Sequence, residues 1–203
     1  MGRTNKRTAS TLVGSVLSIA LVLSAPILAS AATTTDSTTI NASVAAVISM
    51  TTSTNVSINL TPTSGGVVSS ASDTVRVSTN NTAGYTLTMS ASDATAALTS
   101  GGNTIPAHTG TQTTPTALAV NRWGYRVVGV GGFGATAYSA ETNAGSSSST
   151  WAGVPVLGSP NTLKTTAAVA TNDATTVWYG VRVNSSQAAG SYTDAITYTA
   201  ITN

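Results

Sequence analysis

The chain has no cysteine, a single histidine and few charges: Asp, Glu, Lys and Arg together make up 7% of its 203 residues. Without cysteine there is no disulfide framework, so the fold must rest on apolar burial and backbone pairing. Thiolate ligands for zinc are also missing, and His108 alone cannot form a histidine metal pair, so neither a metal nor a cofactor is expected. A serine triad needs His108 beside one particular serine and a carboxylate, and no serine lies in a nucleophile motif. These absences predict a protein that is not an enzyme.

Three of the eight cations, Arg3, Lys6 and Arg7, precede an apolar run from Leu12 to Leu28, which ends in Ala29-Ser30-Ala31. A basic start, an apolar stretch and small residues at the end form an export signal, with cleavage expected around Ala29, Ala31 and Ala32. Pro26 stops the signal helix a few residues before the cut and presents an extended segment to the peptidase. The run is long enough to span a bilayer, so an uncleaved signal would be the chain's contact with a membrane. No apolar tail or sorting motif stands before Asn203, and no cysteine follows the signal to carry lipid. Cleavage changes the electrostatics: Arg76, Arg122, Arg126, Lys164 and Arg182 remain against Asp36, Asp73, Asp93, Glu141, Asp173 and Asp194, a net charge of −1. Five scattered cations leave no footprint for nucleic acid.

What remains is rich in Thr, Ser, Val and Ala, which favour pleated sheet over helix because branched Cβ atoms pack well on a pleated surface. Apolar residues alternate with polar ones at Val56-Ile58-Leu60, Val75-Val77, Tyr85-Leu87-Met89, Trp123-Tyr125-Val127, Val177-Tyr179-Val181-Val183 and Ile196-Tyr198. Ala42 to Met50 fits an apolar strand or a short helix. The organisation expected is a signal peptide over residues 1–31, a flexible leader over 32–40 and one domain over 41–203. That domain is all-β: an antiparallel β-sandwich of immunoglobulin-like or jelly-roll type, preceded by the N-terminal signal helix.

One internal repeat stands out. Val75-Arg76-Val77, five residues, Ala83-Gly84, Tyr85-Thr86 is matched by Val181-Arg182-Val183, five residues, Ala189-Gly190, then Tyr192-Thr193 after one extra serine. Each copy reads as a hairpin, with Gly84 or Gly190 supplying positive φ before the return strand.

The irregular middle of the chain holds the candidate contacts and several decoys. Asn143 to Trp151 reads as an exposed Gly/Ser loop, with Trp151 either a ligand contact or a cover for the sandwich edge. Trp178 and Tyr179 are the further candidates for stacking on a glycan, and Trp123 and Tyr125 read as core. Gly129-Val130-Gly131-Gly132-Phe133-Gly134 matches a dinucleotide fingerprint in letters, but no helix-forming run follows it, which leaves a glycine-rich strand end or bulge. His108 reads as a solvated loop side chain. Lys164 is a candidate for a lysine–asparagine cross-link assisted by Glu141 or Asp173.

Asn80-Asn81-Thr82-Ala83-Gly84-Tyr85-Thr86-Leu87, the central Trp123-Gly124-Tyr125, and the closing Ala189-Gly190-Ser191-Tyr192-Thr193-Asp194-Ala195-Ile196-Thr197-Tyr198-Thr199 together resemble exported bacterial surface proteins related to the WxL class. Trp123-Gly124-Tyr125 stands where that class carries Trp-x-Leu. The resemblance implies a secreted or cell-wall-associated protein with a structural or adhesive role, acting by non-covalent binding or assembly. Its partners would be cell-wall glycan or other surface proteins, with self-assembly through an edge strand as one route. A carbohydrate-binding module is the alternative. Exposed rows of Trp and Tyr would favour glycan, whereas buried aromatics beside an open edge strand would favour assembly.

Overall fold

Long alternating runs of Val, Thr, Ser and Tyr build the two central strands of the molecule. The computed structural model describes residues 31–203, all of them in strands, turns or irregular segments. The strands are β1 (Ile48–Thr51), β2 (Val67–Thr79), β3 (Tyr85–Ala91), β4 (Ala97–Ser100), β5 (Asn103–Pro106) and β6 (Thr116–Ala117). They continue with β7 (Arg122–Arg126), β8 (Thr150–Trp151), β9 (Asn161–Thr165), β10 (Ala170–Val183) and β11 (Ile196–Thr202). The signal peptide, with its Ala29, lies outside the described residues apart from Ala31. Residues 31–47 are exposed and carry no regular secondary structure, and of the two forms open to Ala42 to Met50 the strand is the one present, from Ile48.

Two antiparallel sheets carry the architecture. One has the order β1-β2-β10-β7 and the other β11-β3-β9, with β4-β5 and β6-β8 as small accessory ribbons. The β2–β10 pairing runs from Val67↔Val183 to Thr79↔Ala170, with one irregularity between Ala170 and Asp173. Period 2 then turns Val75 and Val77 of β2, Val177, Tyr179, Val181 and Val183 of β10, and Trp123 and Tyr125 of β7 to one side. Tyr85, Leu87, Met89 and Ala91 of β3 and Leu163 of β9 meet them in a single core, giving a sandwich-like arrangement. Each such Val or Leu contributes about 1.5–3 kcal/mol by leaving water. Ile196, Tyr198 and Ala200 of β11 pack on the same core but remain half-buried.

A second, smaller core covers the outer face of the first sheet. Val68, Leu118, Tyr138 and Trp151 are its buried members, with Trp178 half-buried against them. The Tyr138 ring meets Trp151 edge-on at 5.5 Å and Trp178 at 5.0 Å, and the Arg126 guanidinium lies 4.5 Å from the Tyr138 centroid. Trp151 can lie flat here because β10 offers no side chain beneath it: a Cβ on Gly180 would sit 2.6 Å from the indole. The Asn143–Trp151 stretch is therefore not a free loop. Ala144 exchanges backbone hydrogen bonds with Val68 at 2.7 and 2.9 Å, and Ser147 Oγ accepts the Trp151 indole N–H at 2.8 Å.

The repeat is real, but it does not form hairpins. β2 pairs with β1 and β10, whereas β3 pairs with β11 and β9, so the turn after the first copy carries the chain from one sheet to the other. The second copy does the same, from β10 to β11. The first strands of the two copies, β2 and β10, pair antiparallel with each other, as do the second strands, β3 and β11. The repeat is thus a sheet-switching corner used twice about an approximate two-fold relation. Sequence spacing cannot separate the two, because a tight turn between alternating strands reads the same whether they pair or face each other across a core. The glycines differ as well. Gly84 has φ +80°, while Gly190 lies outside the left-handed region, and a Cβ there would meet Ser100 Oγ, a side-chain end that can rotate away, at 2.5 Å.

Gly84→Ala should be among the most damaging single-atom changes in the chain, because the added Cβ meets the Thr166 carbonyl oxygen at 2.4 Å on top of the positive φ. Gly101, at φ +55°, has open space around it and serves as the reference. Urea unfolding should show Gly84→Ala to be the more destabilising of the two by about 1–3 kcal/mol, the usual cost of overpacking a tight site.

Candidate assembly edge

The phase of the β3–β11 ladder decides which backbone groups of β11 are free. Ser92 N–H donates to the Ala195 carbonyl at 2.9 Å, and Asn203 N–H to the Gly84 carbonyl at 3.1 Å. Hydrogen-bonded pairs recur every second residue in an antiparallel ladder, so Thr197, Thr199 and Ile201 direct their backbone groups to β3. The N–H and C=O groups of Ile196, Tyr198, Ala200 and Thr202 point the other way, and no residue of 43–203 bonds to them. β11 carries none of the devices that protect a natural edge. Its sequence, Ile-Thr-Tyr-Thr-Ala-Ile-Thr, has no charge and no proline, and it contains no bulge against β3.

The segment that follows β1 is unpaired. Val56, Ile58 and Leu60 are half-buried against the main core while Ser57 and Asn59 are exposed, as the alternation predicts. The strand expected there is nevertheless absent, since no backbone group of Thr54–Leu60 is hydrogen-bonded within residues 43–203. Its natural partner is occupied: Ala144 and Glu141 already bond the edge of β2 at Val68 and Ser70. Thr61 N–H is instead taken by Asn143 Oδ1 at 2.8 Å.

A buried carboxylate holds this edge together. Asp73 points inward from β2 and is only 4% exposed. It accepts the Thr52 hydroxyl, the Ser53 hydroxyl and the Ser53 N–H, the last at 3.0 Å. Burial raises its pKa, but those hydrogen bonds together outweigh burial and hold it below the usual carboxylate value. The Tyr198 hydroxyl of β11 lies near Asp73 and shares a 2.6 Å hydrogen bond with Tyr179 of β10, and burial pushes both phenols above their ordinary value. Asp73 therefore ties the chain after β1 to the place where β11 meets the first sheet. The available signal in the sequence is an aspartate at an inward position of an alternating strand, in phase with Val75 and Val77.

The expected contact residues do not converge. Trp151 has no exposed surface and takes the covering role, not the ligand-contact one, because its ring lies between Tyr138 and Gly180. Tyr179 is 6% exposed and faces the core with Met89 Sδ and Tyr198 as its partners. Trp178 is half-buried on the opposite face against Tyr138, so the three residues do not form a stacking row. Trp123 and Tyr125 are core residues as expected.

His108 is buried, not solvated: its Nε2 lies 2.8 Å from Thr116 Oγ1, and neither a serine nor a carboxylate bonds the ring. Burial, then the nearby Arg122 charge, lowers its pKa. Lys164 forms an ion pair with Asp173 at 2.5 Å, with Tyr85 donating to the other carboxylate oxygen at 2.8 Å. No asparagine bonds Lys164 among the described residues, and Glu141 bonds Ser148 instead. The glycine motif closes on itself through Gly129 N–H to the Gly134 carbonyl at 2.7 Å, and Phe133 is buried against Tyr125. Among the described residues no group of metal-binding side chains comes together.

No family model matches the chain, and no curated protein or solved structure is significantly similar to it.

The titrating groups predict a two-step acid response. His108 has a folded pKa below its ordinary 6.5, so its contribution is complete above that pH and is lost as the pH falls below it. Burial opposes ionisation of Asp173 and Glu141 as it does that of Asp73, but hydrogen bonds and, at Asp173, the Lys164 charge leave all three below ordinary values. Their contribution is present above about pH 4 and is lost below it. Asp194 is shifted the other way, mainly by burial, and offsets part of the second step. Melting temperature against pH should fall first below pH 6.5 and again below about 4, and His108→Gln should remove only the first fall.

Proposed function

We propose that this is an exported surface protein with a structural or adhesive role, acting by non-covalent assembly through a strand edge. The observation that carries the reading is the pairing of an open, uncharged β11 edge with aromatics that are spent on two cores. A glycan module needs aromatic faces presented to solvent, whereas strand addition needs unpaired backbone, and it is the second that residues 43–203 offer.

The sandwich is read as immunoglobulin-like and not as a jelly roll. The spatial orders β1-β2-β10-β7 and β9-β3-β11 follow strands A-B-E-D of one immunoglobulin sheet and the C-F pairing of the other. In that scheme β11 takes the place of F, and its outer edge is where strand G lies. The basic, apolar and Ala-Ser-Ala pattern of residues 1–31 supports secretion to the cell surface through a cleaved signal. The resemblance to the WxL class supports association with the wall, and the edge favours other surface proteins over wall glycan as the partner.

Fractionation of the producing cells, with N-terminal sequencing of the mature protein, tests the reading. The expected result is a start at Ala32 or Thr33, with the protein on the wall and released by salt or denaturant. Uncleaved protein in the membrane fraction would contradict the cleaved signal, and free protein in the medium would contradict surface attachment.

A further inference from the structure

The assembly reading leaves open what fills the β11 edge, and the same chain supplies a matching strand. Resting on that reading, we propose that residues 38–44 of one copy add as a strand to the outer edge of β11 in a second copy, so that the chain assembles head to tail.

The two segments match in length, pattern and chemistry. β11 has seven residues, and Thr38-Thr39-Ile40-Asn41-Ala42-Ser43-Val44 is also seven residues long. Ile40, Ala42 and Val44 alternate with Thr39, Asn41 and Ser43, so an extended chain presents one apolar and one polar face. Among the described residues Ile40 is 84% and Val44 87% exposed. Neither segment contains a charge, a glycine or a proline to discourage pairing. Thr and the β-branched residues suit the pleated conformation. On β11 the incoming strand would meet the free N–H and C=O groups of Ile196, Tyr198, Ala200 and Thr202. It would lie along Ile196, Tyr198 and Ala200, which remain half-buried against the main core.

A second copy is the favoured source. Asn80 accepts the Val47 N–H at 2.8 Å and donates to the Ala45 carbonyl at 3.0 Å, which holds residues 45–47 in line with β1. Because donor and acceptor are different surfaces, each copy that accepts a strand still offers one, and the contact repeats without closing.

The test uses the full exported chain with two kinds of variant. Ile40→Asp with Val44→Asp charges an exposed donor face and leaves the folded domain alone. Ala200→Pro removes an N–H that points away from β3, a position where an edge strand tolerates proline. Light scattering across concentration should show growing oligomers for the parent chain. Each variant alone should be monomeric, and their mixture should give a one-to-one dimer, since one retains the acceptor and the other the donor. A synthetic peptide of residues 34–47 should bind the donor variant, and the same peptide carrying the two aspartates should bind at least about tenfold more weakly, as expected for charges buried against an apolar edge. If Ala200→Pro fails to fold by circular dichroism, the donor variant and the peptide still decide the question. Oligomers that persist unchanged in the donor variant, or a parent chain that stays monomeric and leaves the peptide unbound, would overturn the proposal. Either result combined with retained wall association would leave the surface-protein reading standing, and loss of wall association would strike that reading instead.

Discussion

The β2–β10 ladder is the constraint on which the rest of the molecule depends. Without disulfides, a chain of small hydroxylated residues needs one long, fully paired element to organise it, and this pairing spans nearly the whole of both strands. Its inner face supplies valines and Tyr179 to the main core. Its outer face supplies Gly180, on which Trp151 lies, and Trp178, which meets Tyr138. Both sheet-switching corners spring from its two ends, so β3 and β11 are brought together as a consequence of how β2 and β10 pair.

The same ladder explains why one edge is left open. β10 is covered by β7 over residues 178–182, and the edge of β2 is taken by β1, by Ser53 at Asp73 and by the Glu141–Ala144 stretch. Those contacts displace Thr54–Leu60 from the first sheet, and nothing in residues 43–203 pairs with β11 on its far side. Proteins that remain single copies block such an edge with charge, proline or a bulge. β11 has none of these, and the leader has the alternation to use it. An open edge and an exposed apolar strand in one chain are liabilities when considered separately. Considered together they are the two surfaces that the proposed assembly would join.

Much of the fold was legible in the residues, because period 2 is a local property. The strands around Val75, Leu87, Trp123, Val181 and Tyr198 stand where alternation placed them, and even the unpaired Val56-Ile58-Leu60 keeps its predicted burial. What alternation cannot convey is the partner. The two copies of the Val-Arg-Val repeat looked like hairpins because pairing within a sheet and facing across a core leave the same local pattern. His108 reads as exposed and Trp151 as either a contact or a cover because they sit in Gly-, Ser- and Thr-rich stretches, yet the hydroxyl of Thr116 and the outer core of Tyr138 and Leu118 enclose them. Asp73 was invisible as a node because its partners, Thr52, Ser53 and the Tyr198 region, are distant in sequence. The β11 edge was anticipated only in kind: an edge strand near the end of the sequence was foreseeable, but which of its amides are free follows from the ladder phase.

That phase makes the central claim directly measurable by residue-resolved amide hydrogen exchange. In the dilute monomer, the amides of Thr197, Thr199 and Ile201 should be protected by β3, while those of Ile196, Tyr198, Ala200 and Thr202 exchange quickly. On assembly at high concentration the second set should become protected as well, with the amides of residues 38–44 slowing in parallel. Equal protection of all seven β11 amides in the monomer, or no change in the outward set on assembly, would contradict an open edge completed by another strand.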